Sequence, residues 1–412
     1  MQNSQLAING GNPVRQSSWP TYDKGDVLVD ENDEEIAIEA IRKHLYFRYD
    51  RRPFNETYTG KFESKLQEYF GVKHALAVSS GTAAITLGLL AAGLKKGDKV
   101  ACPAFTFAAT PSAILLAGCE PVIVEVDENL HIDIDDLKQK IQGGIKAIVP
   151  VHMRGLACNI KSVIEIANEA NIPVIEDVVA AFGASFENKK LGTFGKAGAF
   201  STQSDKSLNT GEGGFLLTDD TELFAKAICF SGAFENRFLK HFENSTPPQI
   251  SDLEIPLYNF RMDEIRAAIG ISQMDKLPNR LNILSENYKY VVSKLSDIVS
   301  VRQPITEDGI LGESLLFRLK TDSKMDPEWF AKALTAEGIS ARAFSSKENP
   351  NVRCFWNWKF LFPDMQIDKI KDVLPNSANY LSAFIDVPLS PLLKKTDLDN
   401  LVEAVSKILN NT

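Results

Sequence analysis

The sequence predicts an α/β fold: a large domain with a mostly parallel central sheet wrapped by helices, followed by a smaller C-terminal α+β domain. Three observations carry this. Between residues 74 and 218, short apolar runs alternate with helical patterns, the signature of parallel strands joined by crossover helices. After Pro278 the pattern changes to isolated strands between helices. The length of 412 residues also suggests two or three domains at about 100–200 residues each. The division expected is 1–280 for the large domain, with an N-terminal arm over about 1–55, and 281–412 for the small one.

The elements follow in order. HALAVS at 74–79 reads as a strand, and the Ala- and Leu-rich stretch 82–94 as a helix. A short strand at 99–102 precedes a helix at 111–117. PVIVEV at 121–126 is a strand rich in β-branched residues, which favour pleated, half-buried positions. IKAIVPV at 145–151 is another, followed by a helix at 160–170 with apolar positions at helical spacing. Strands at 173–177, 197–201 and 214–218 complete the series. The loop joining the last two is too short for a crossover helix, so they are either antiparallel neighbours or separated in the sheet by a long loop. DEIRAAIGISQMDK at 263–276 reads as a helix that Pro278 breaks. A helix from Asn282, strands in VRQPI, LLFRLK and ISARAF, a helix from Pro327 and a last helix from Thr396 form the smaller domain.

Composition narrows the function classes. The apolar fraction of 44% and charged fraction of 24% are those of an ordinary soluble globular chain. With 45 Lys and Arg against 54 Asp and Glu, the net charge of −9 argues against general nucleic-acid binding. No zinc-type Cys/His spacing occurs, so no metal site is expected. The five cysteines are scattered without paired spacing, which fits reduced thiols in the cytosol. The start, MQNSQLAINGGNPVRQ, lacks a signal peptide's charged and apolar regions, and no apolar stretch approaches the roughly 18 residues of a membrane span. A cytoplasmic, soluble protein with no membrane partner is the expectation.

In an open parallel sheet, ligands bind beyond the carboxyl ends of the strands. That rule singles out Ser80, Gly81 and Thr82, the segment ending at Phe107, His152, Asp177, and Ser201 through Lys206. Ser80-Gly81-Thr82 opens a helix, whose free amides and dipole suit a phosphate; a plain helix cap explains it equally well. Asp177 ends an apolar strand, as a helix cap, an ion-pair partner, or a carboxylate aimed at a cationic ring nitrogen. Lys206 alone reads as a solvated loop residue. Beside a phosphate cup and a strand-end acid it becomes the third anchor of pyridoxal phosphate, the amine that forms a Schiff base with the cofactor aldehyde.

The motifs FGVKHALAVSSGTAAITLGLLAAG, PAFTFAATPSAILLAGCEPVIVEVD, PVHMRG, PVIEDVVAAFGA, LGTFGKAGAFSTQSDKSLNTGEGG and YNFRMDEIRAAIG occur in that order. Together they resemble the DegT/DnrJ/EryC1/StrS family of PLP-dependent sugar aminotransferases, which have the type I aspartate-aminotransferase-like fold. The match covers about residues 55–280 and extends more loosely to the C-terminus. The resemblance implies residue roles: Lys206 as the Schiff-base lysine, Asp177 as the partner of the ring nitrogen, and Gly81 and Thr82 as the phosphate cup. It implies Ser201 as a further phosphate contact and Phe107, otherwise as readily a core residue, as the aromatic stacked on the ring. Asn259 matches an asparagine reaching the phosphate from the neighbouring subunit, which implies a homodimer with shared active sites.

Two positions depart from the pattern. Ala180 stands where the family usually has Gln or His, so a hydrogen-bond donor near the cofactor ring is missing or supplied elsewhere. Asp205 precedes the lysine where a hydroxyl residue is common, and either tunes Lys206 or faces solvent. His152 matches a family histidine and reads equally as a packed residue. Glu212 and the glycines of TGEGG are expected to shape the loop after Lys206. Arg48, Arg51, Arg52 and Arg154 are candidates for an acidic substrate group, with surface solvation as the plainer explanation.

The activity implied is a two-stage transamination. An amino group passes from glutamate or glutamine to the cofactor, then to the ketone or aldehyde of a sugar-like acceptor in amino-sugar biosynthesis. Two acceptor classes stand level: a nucleotide-linked keto-sugar, or a free acidic sugar such as an 8-oxo octulosonate leading to 8-amino-3,8-dideoxy-octulosonate of lipopolysaccharide. The rivals are a sugar dehydratase, which carries histidine at the lysine position, and a cofactor-binding regulator without turnover.

Overall fold

The computed structural model describes residues 5–21, 28–320 and 325–411. Its first part runs α1 (Glu31–Arg42), α2 (Tyr58–Phe70), β1 (His74–Val78), α3 (Gly81–Ala91), β2 (Lys99–Pro103), α4 (Ala109–Leu116), β3 (Glu120–Val124), α5 (Ile134–Gln142), β4 (Ala147–Ile148), α6 (Ile160–Glu169) and β5 (Ile175–Asp177). A small hairpin, β6 (Ser185–Phe186) and β7 (Lys189–Lys190), precedes β8 (Ala197–Ser201), β9 (Gly214–Thr218), α7 (Thr221–Ser231) and α8 (Glu264–Leu295). The C-terminal part contains β10 (Ser300–Val301), β11 (Ser314–Arg318), α9 (Pro327–Ala336), β12 (Arg342–Ala343), α10 (Ile367–Lys371), α11 (Pro375–Ala383), β13 (Phe384–Pro388) and α12 (Lys395–Asn410).

Two ladders, β1-β9-β8-β5 and β3-β2-β4, join through parallel bridges Ile148–Val174 and Val151–Asp177 into one sheet. Every pairing in it is parallel except those of β9, which runs antiparallel to both β1 and β8. The two last strands are therefore antiparallel neighbours, and their connecting loop, 202–213, stays at one end of the sheet. Helices cover both faces. Side chains alternate between the two covered cores: Leu76 and Val78 enter one, Ala75 and Ala77 the other. This double burial explains why β8 and β9 read as continuous apolar runs rather than alternating ones.

Helix α5 carries no counterpart in the sequence reading. Its start is set by Asp133, whose carboxylate accepts from the amides of Asp135 and Asp136. The second difference is Pro278, which does not break the chain: α8 runs through it for 32 residues. An internal proline costs a helix about 3 kcal/mol. Here the opposing gain is tertiary. The first half of α8 packs on α1 and α2, while Tyr288, Val291 and Leu295 enter a third core formed mainly by the C-terminal part. The expected boundary at 280/281 thus falls inside a continuous helix.

The N-terminal segment also packs where the sequence reading did not place it. Leu6 and Trp19 belong to that third core, and Trp19 Nε1 donates to the Pro388 carbonyl at 2.8 Å. The buried Glu337 carboxylate accepts from the amides of Ala7 and Val14.

Candidate active site

The carboxyl ends of β1, β2, β5 and β8 converge on a cleft of about 360 Å³, within the range of small-molecule sites. Its walls include Gly81, Thr82, Phe107, Asp177, Ser201 and Lys206. The strand-end rule thus brings these candidates together.

At the end of β1, Ser80 caps α3 by accepting from the Ala83 amide at 3.0 Å. The amides of Gly81 and Thr82 at the helix start lie beyond the reach of that cap, as a phosphate cup requires. Gly81 packs tightly: a Cβ there would lie 3.0 Å from Ser201 Cβ and from Val179 Cγ2. Ser201 closes the other side of the cup, buried at the end of β8, where Oγ accepts from the Gln203 amide at 3.3 Å.

Asp177 is buried and takes two hydrogen bonds, from Thr110 Oγ1 to Oδ2 at 2.7 Å and from the Val179 amide to Oδ1 at 3.1 Å. Thr106 Oγ1 lies 2.6 Å from Thr110 Oγ1, so with Thr110 donating to the acid, Thr106 donates to Thr110. Burial pushes the Asp177 pKa up; Thr110 and the Val179 amide pull it back most. Among the described residues no ion pair reaches this carboxylate. A buried acid held by hydrogen bonds but lacking a cation suits a protonated ring nitrogen.

Lys206 is half-buried on the 202–213 loop, with its amide donating to the Gln203 carbonyl at 2.8 Å. Thr202 and Thr210 tie the loop's base together, Oγ1 to Oγ1 at 2.6 Å, and the Thr202 amide donates to the Gly213 carbonyl at 2.9 Å. Gly213 sits at φ +155°, and a Cβ there would come within 2.4 Å of Thr202 Oγ1. TGEGG therefore shapes the loop through close packing at its exit. Burial lowers the Lys206 pKa; Glu313 opposes this, Arg353 and Arg154 reinforce it, and Asp205 opposes it least. Asp205 is exposed at the rim of the cleft, where it acts on Lys206 only weakly.

Phe107 is 48% exposed although it is a large aromatic, and it stands in the cleft rather than in the core. Ala180 also lines the cleft, where it offers only a methyl group. His152 is a packed histidine: its Nδ1 accepts from the Cys158 amide at 3.2 Å and Nε2 lies 3.3 Å from Glu176. Glu176, one residue before Asp177, is tied to the amides of Gly192, Phe194 and Gly195. Adjacent acids on one strand thus serve opposite faces.

Asn259 does not reach this cleft; it is exposed on the loop before α8. Of the arginine candidates, Arg154 alone lines the cleft. Arg48 is fully buried against Glu63 and the Ala77 carbonyl, Arg52 pairs with Asp50 and Glu264, and Arg51 is exposed elsewhere. The sequence reading missed Glu313 and Arg353, which enter the cleft from the C-terminal part, and Thr110, one turn beyond Phe107. Only Thr110 had a signal, its helical spacing from a strand-end candidate.

A tightly packed glycine at a helix start, a buried acid without a cation, an exposed aromatic and a half-buried lysine fit pyridoxal phosphate. Among the described residues no helix is long and apolar enough to cross a membrane, and no His, Cys, Asp and Glu cluster could hold a metal ion.

Comparison with known proteins agrees. The model of the DegT/DnrJ/EryC1/StrS aminotransferase family matches residues 53–406. The spore coat polysaccharide biosynthesis protein SpsC of Bacillus subtilis (strain 168) is 30% identical over 85% of this chain and 89% of its own length. GDP-perosamine synthase of Escherichia coli O157:H7 is 35% identical over 58% of this chain and 65% of its own. A crystal structure of GDP-4-keto-6-deoxymannose-3-dehydratase with a trapped PLP-glutamate geminal diamine superposes with a TM-score of 0.76 at 26% identity, covering 96% of this chain and all of that one (100%). The fold is fold type I of the PLP-dependent aminotransferases, and the chain belongs to the DegT/DnrJ/EryC1/StrS aminotransferase family.

Proposed function

We propose that this chain moves an amino group from glutamate or glutamine to the ketone or aldehyde of a sugar-like acceptor in amino-sugar biosynthesis. The observation that carries the reading is a half-buried lysine sharing one cleft with a buried, cation-free acid at Asp177. When bound, pyridoxal phosphate supplies an electron-accepting ring and a carbon that carries the amino group between the two substrates. Asp177 would keep a proton on the ring nitrogen. The Gly81 and Thr82 amides and the Ser201 hydroxyl would hold the phosphate, and Phe107 would pack on the ring. Lys206 Nζ would serve as the base that removes the α proton of the donor and, in the second stage, would return a proton to the product. The lowered lysine pKa favours the free amine that this role needs.

The acceptor is either a nucleotide-linked keto-sugar or a free acidic sugar such as an 8-oxo octulosonate of lipopolysaccharide synthesis. The likeness to a GDP-perosamine synthase supports the first. The exposed position of Asn259 suits a contact to the cleft of a second copy, and a homodimer with shared sites is part of this proposal. So is a two-domain organisation in which residues 281–412 wall the cleft through Glu313 and Arg353. A dehydratase relative from Escherichia coli O55:H7 is 32% identical over 69% of this chain. Lysine rather than histidine at position 206 favours amination over that chemistry.

The test follows the amino nitrogen. Protein loaded with pyridoxal phosphate is mixed with amine-labelled glutamate or glutamine, freed of amino acid, and offered carbonyl sugars with mass-spectrometric readout. Labelled amino sugar in the second step is the expected result. No loss of the donor's amino group in the first step would sink the reading.

A further inference from the structure

A buried cation outside the cleft holds the tip of the lysine loop. Arg280 lies on α8, just past Pro278, and is buried. Its Nη1 donates to the backbone carbonyl of Ser207, the residue after Lys206. The same nitrogen donates to Gln273 Oε1, two turns earlier on α8, at 3.1 Å. Gln273 is fully buried, and its Nε2 donates to the Leu28 carbonyl at 2.7 Å and to Asp33 Oδ2 at 2.9 Å. Turned over, this amide would present its NH2 group to a guanidinium and its oxygen to a carboxylate, so its orientation is fixed. Asp33 is the acid of the α1 capping box, where it accepts from the Asp30 amide and pairs with Lys276. A chain of hydrogen bonds thus runs from the α1 cap through α8 to the residue beside Lys206.

Burying a guanidinium is unfavourable, and an apolar side chain of similar length would fill the space at lower cost. What the charge adds is a directed donor at one carbonyl. The loop needs one there. Its base is closed by Thr202 and Thr210, and Leu208 enters the same core as Met274 and Leu277 of α8. Between these anchors stand Lys206 and Ser207. Ser207 Oγ is buried and makes no hydrogen bond among the described residues, so the carbonyl is the group through which Ser207 is tied to α8.

We infer that Arg280 is a positioning residue for Lys206: by fixing the Ser207 carbonyl against α8 it sets where the lysine amine enters the cleft, and Gln273 extends that restraint to the α1 cap. The inference rests on the reading that Lys206 is the lysine that takes the cofactor. An amine displaced by about 1 Å from its target carbon loses about a hundredfold in rate, although nothing in the cleft itself has changed.

Two ligands separate this role from general support of the fold. Pyridoxal phosphate can link to a lysine. Pyridoxine 5′-phosphate has the same ring and phosphate but an alcohol in place of the aldehyde, so its affinity reports the rest of the cleft. Apoprotein of wild type, Arg280→Met, Arg280→Lys and Gln273→Leu is titrated with each, well below the melting temperature of every variant. Linkage to Lys206 is followed by absorbance and by borohydride trapping with peptide mapping. Arg280→Met should bind pyridoxine phosphate as wild type does, while its rate of linkage to pyridoxal phosphate falls by about tenfold or more. Arg280→Lys keeps the charge and a donor and should recover part of that rate. Gln273→Leu, which leaves Arg280 in place but loosens it, should slow linkage less. If Arg280→Met fails to fold, Arg280→Lys and Gln273→Leu make the same comparison against wild type. Linkage at the wild-type rate in the variants overturns the inference. So does a loss of pyridoxine phosphate affinity as large as the loss in linkage rate, which would make Arg280 a support of the whole site. Cofactor trapped on another lysine in wild type would instead defeat the reading of Lys206 itself.

Discussion

Thr110 Oγ1 donates a hydrogen bond to Asp177 Oδ2 at 2.7 Å, from a helix that follows β2 to an acid that ends β5. This bond is the largest of the influences opposing the burial that raises the Asp177 pKa. It therefore helps keep the carboxylate ionised for a ring cation.

Replacing Thr110 with Val should raise the Asp177 pKa further and weaken pyridoxal phosphate binding by about tenfold, the scale of one hydrogen bond to a charged group. Thr110→Ser should bind close to wild type. A fluorescence titration of cofactor into apoprotein measures both. Equal affinity in Thr110→Val and wild type would count against this role.

Lys206→Ala should remove the covalent attachment. After borohydride reduction, peptide mass mapping should find the cofactor on Lys206 in wild type and on no peptide in the variant. Transamination should fall by about 10³-fold or more, the usual loss for a proton-transfer group. Cofactor trapped on another lysine would refute the assignment.

The lowered Lys206 pKa has a consequence for the apoprotein. A lysine whose folded pKa lies below its usual 10.5 binds fewer protons folded than unfolded between those two values, so its contribution to stability improves as pH rises through that window. Below the window it destabilises by a constant amount. Lys206→Met apoprotein should thus melt above wild type at pH 7, and the gap should shrink as pH approaches 10.5. A gap independent of pH would show that the lysine is not desolvated.

Pro278 should be dispensable. Since α8 continues through it, Pro278→Ala restores a helical amide and should raise stability by up to about 3 kcal/mol in chemical denaturation. Destabilisation would indicate that the ring packs against a neighbour in a way alanine cannot replace.

The sequence by itself determined the sheet, the strand-end cluster and the family. Alternating apolar runs and helical spacing are local, and in a parallel sheet the strand ends gather at one edge. Asp177 and Lys206 could therefore be paired without knowing any contact. The motif order pointed to the rest of that set, Phe107 included, whose exposure to the cleft no hydropathy pattern would reveal.

Tertiary structure alone decided which charges are free. Arg48 and Arg154 look alike in the sequence, but one is sealed against Glu63 and the other lines the cleft. Glu313 and Arg353 arrive from loops far along the chain, with no periodic signal to mark them. The same holds for Pro278 and the N-terminal segment, where contacts on α1, α2 and the third core outweigh local preference. Propensity and spacing act over a few residues, whereas desolvation and ion pairing depend on what the completed fold places beside each side chain.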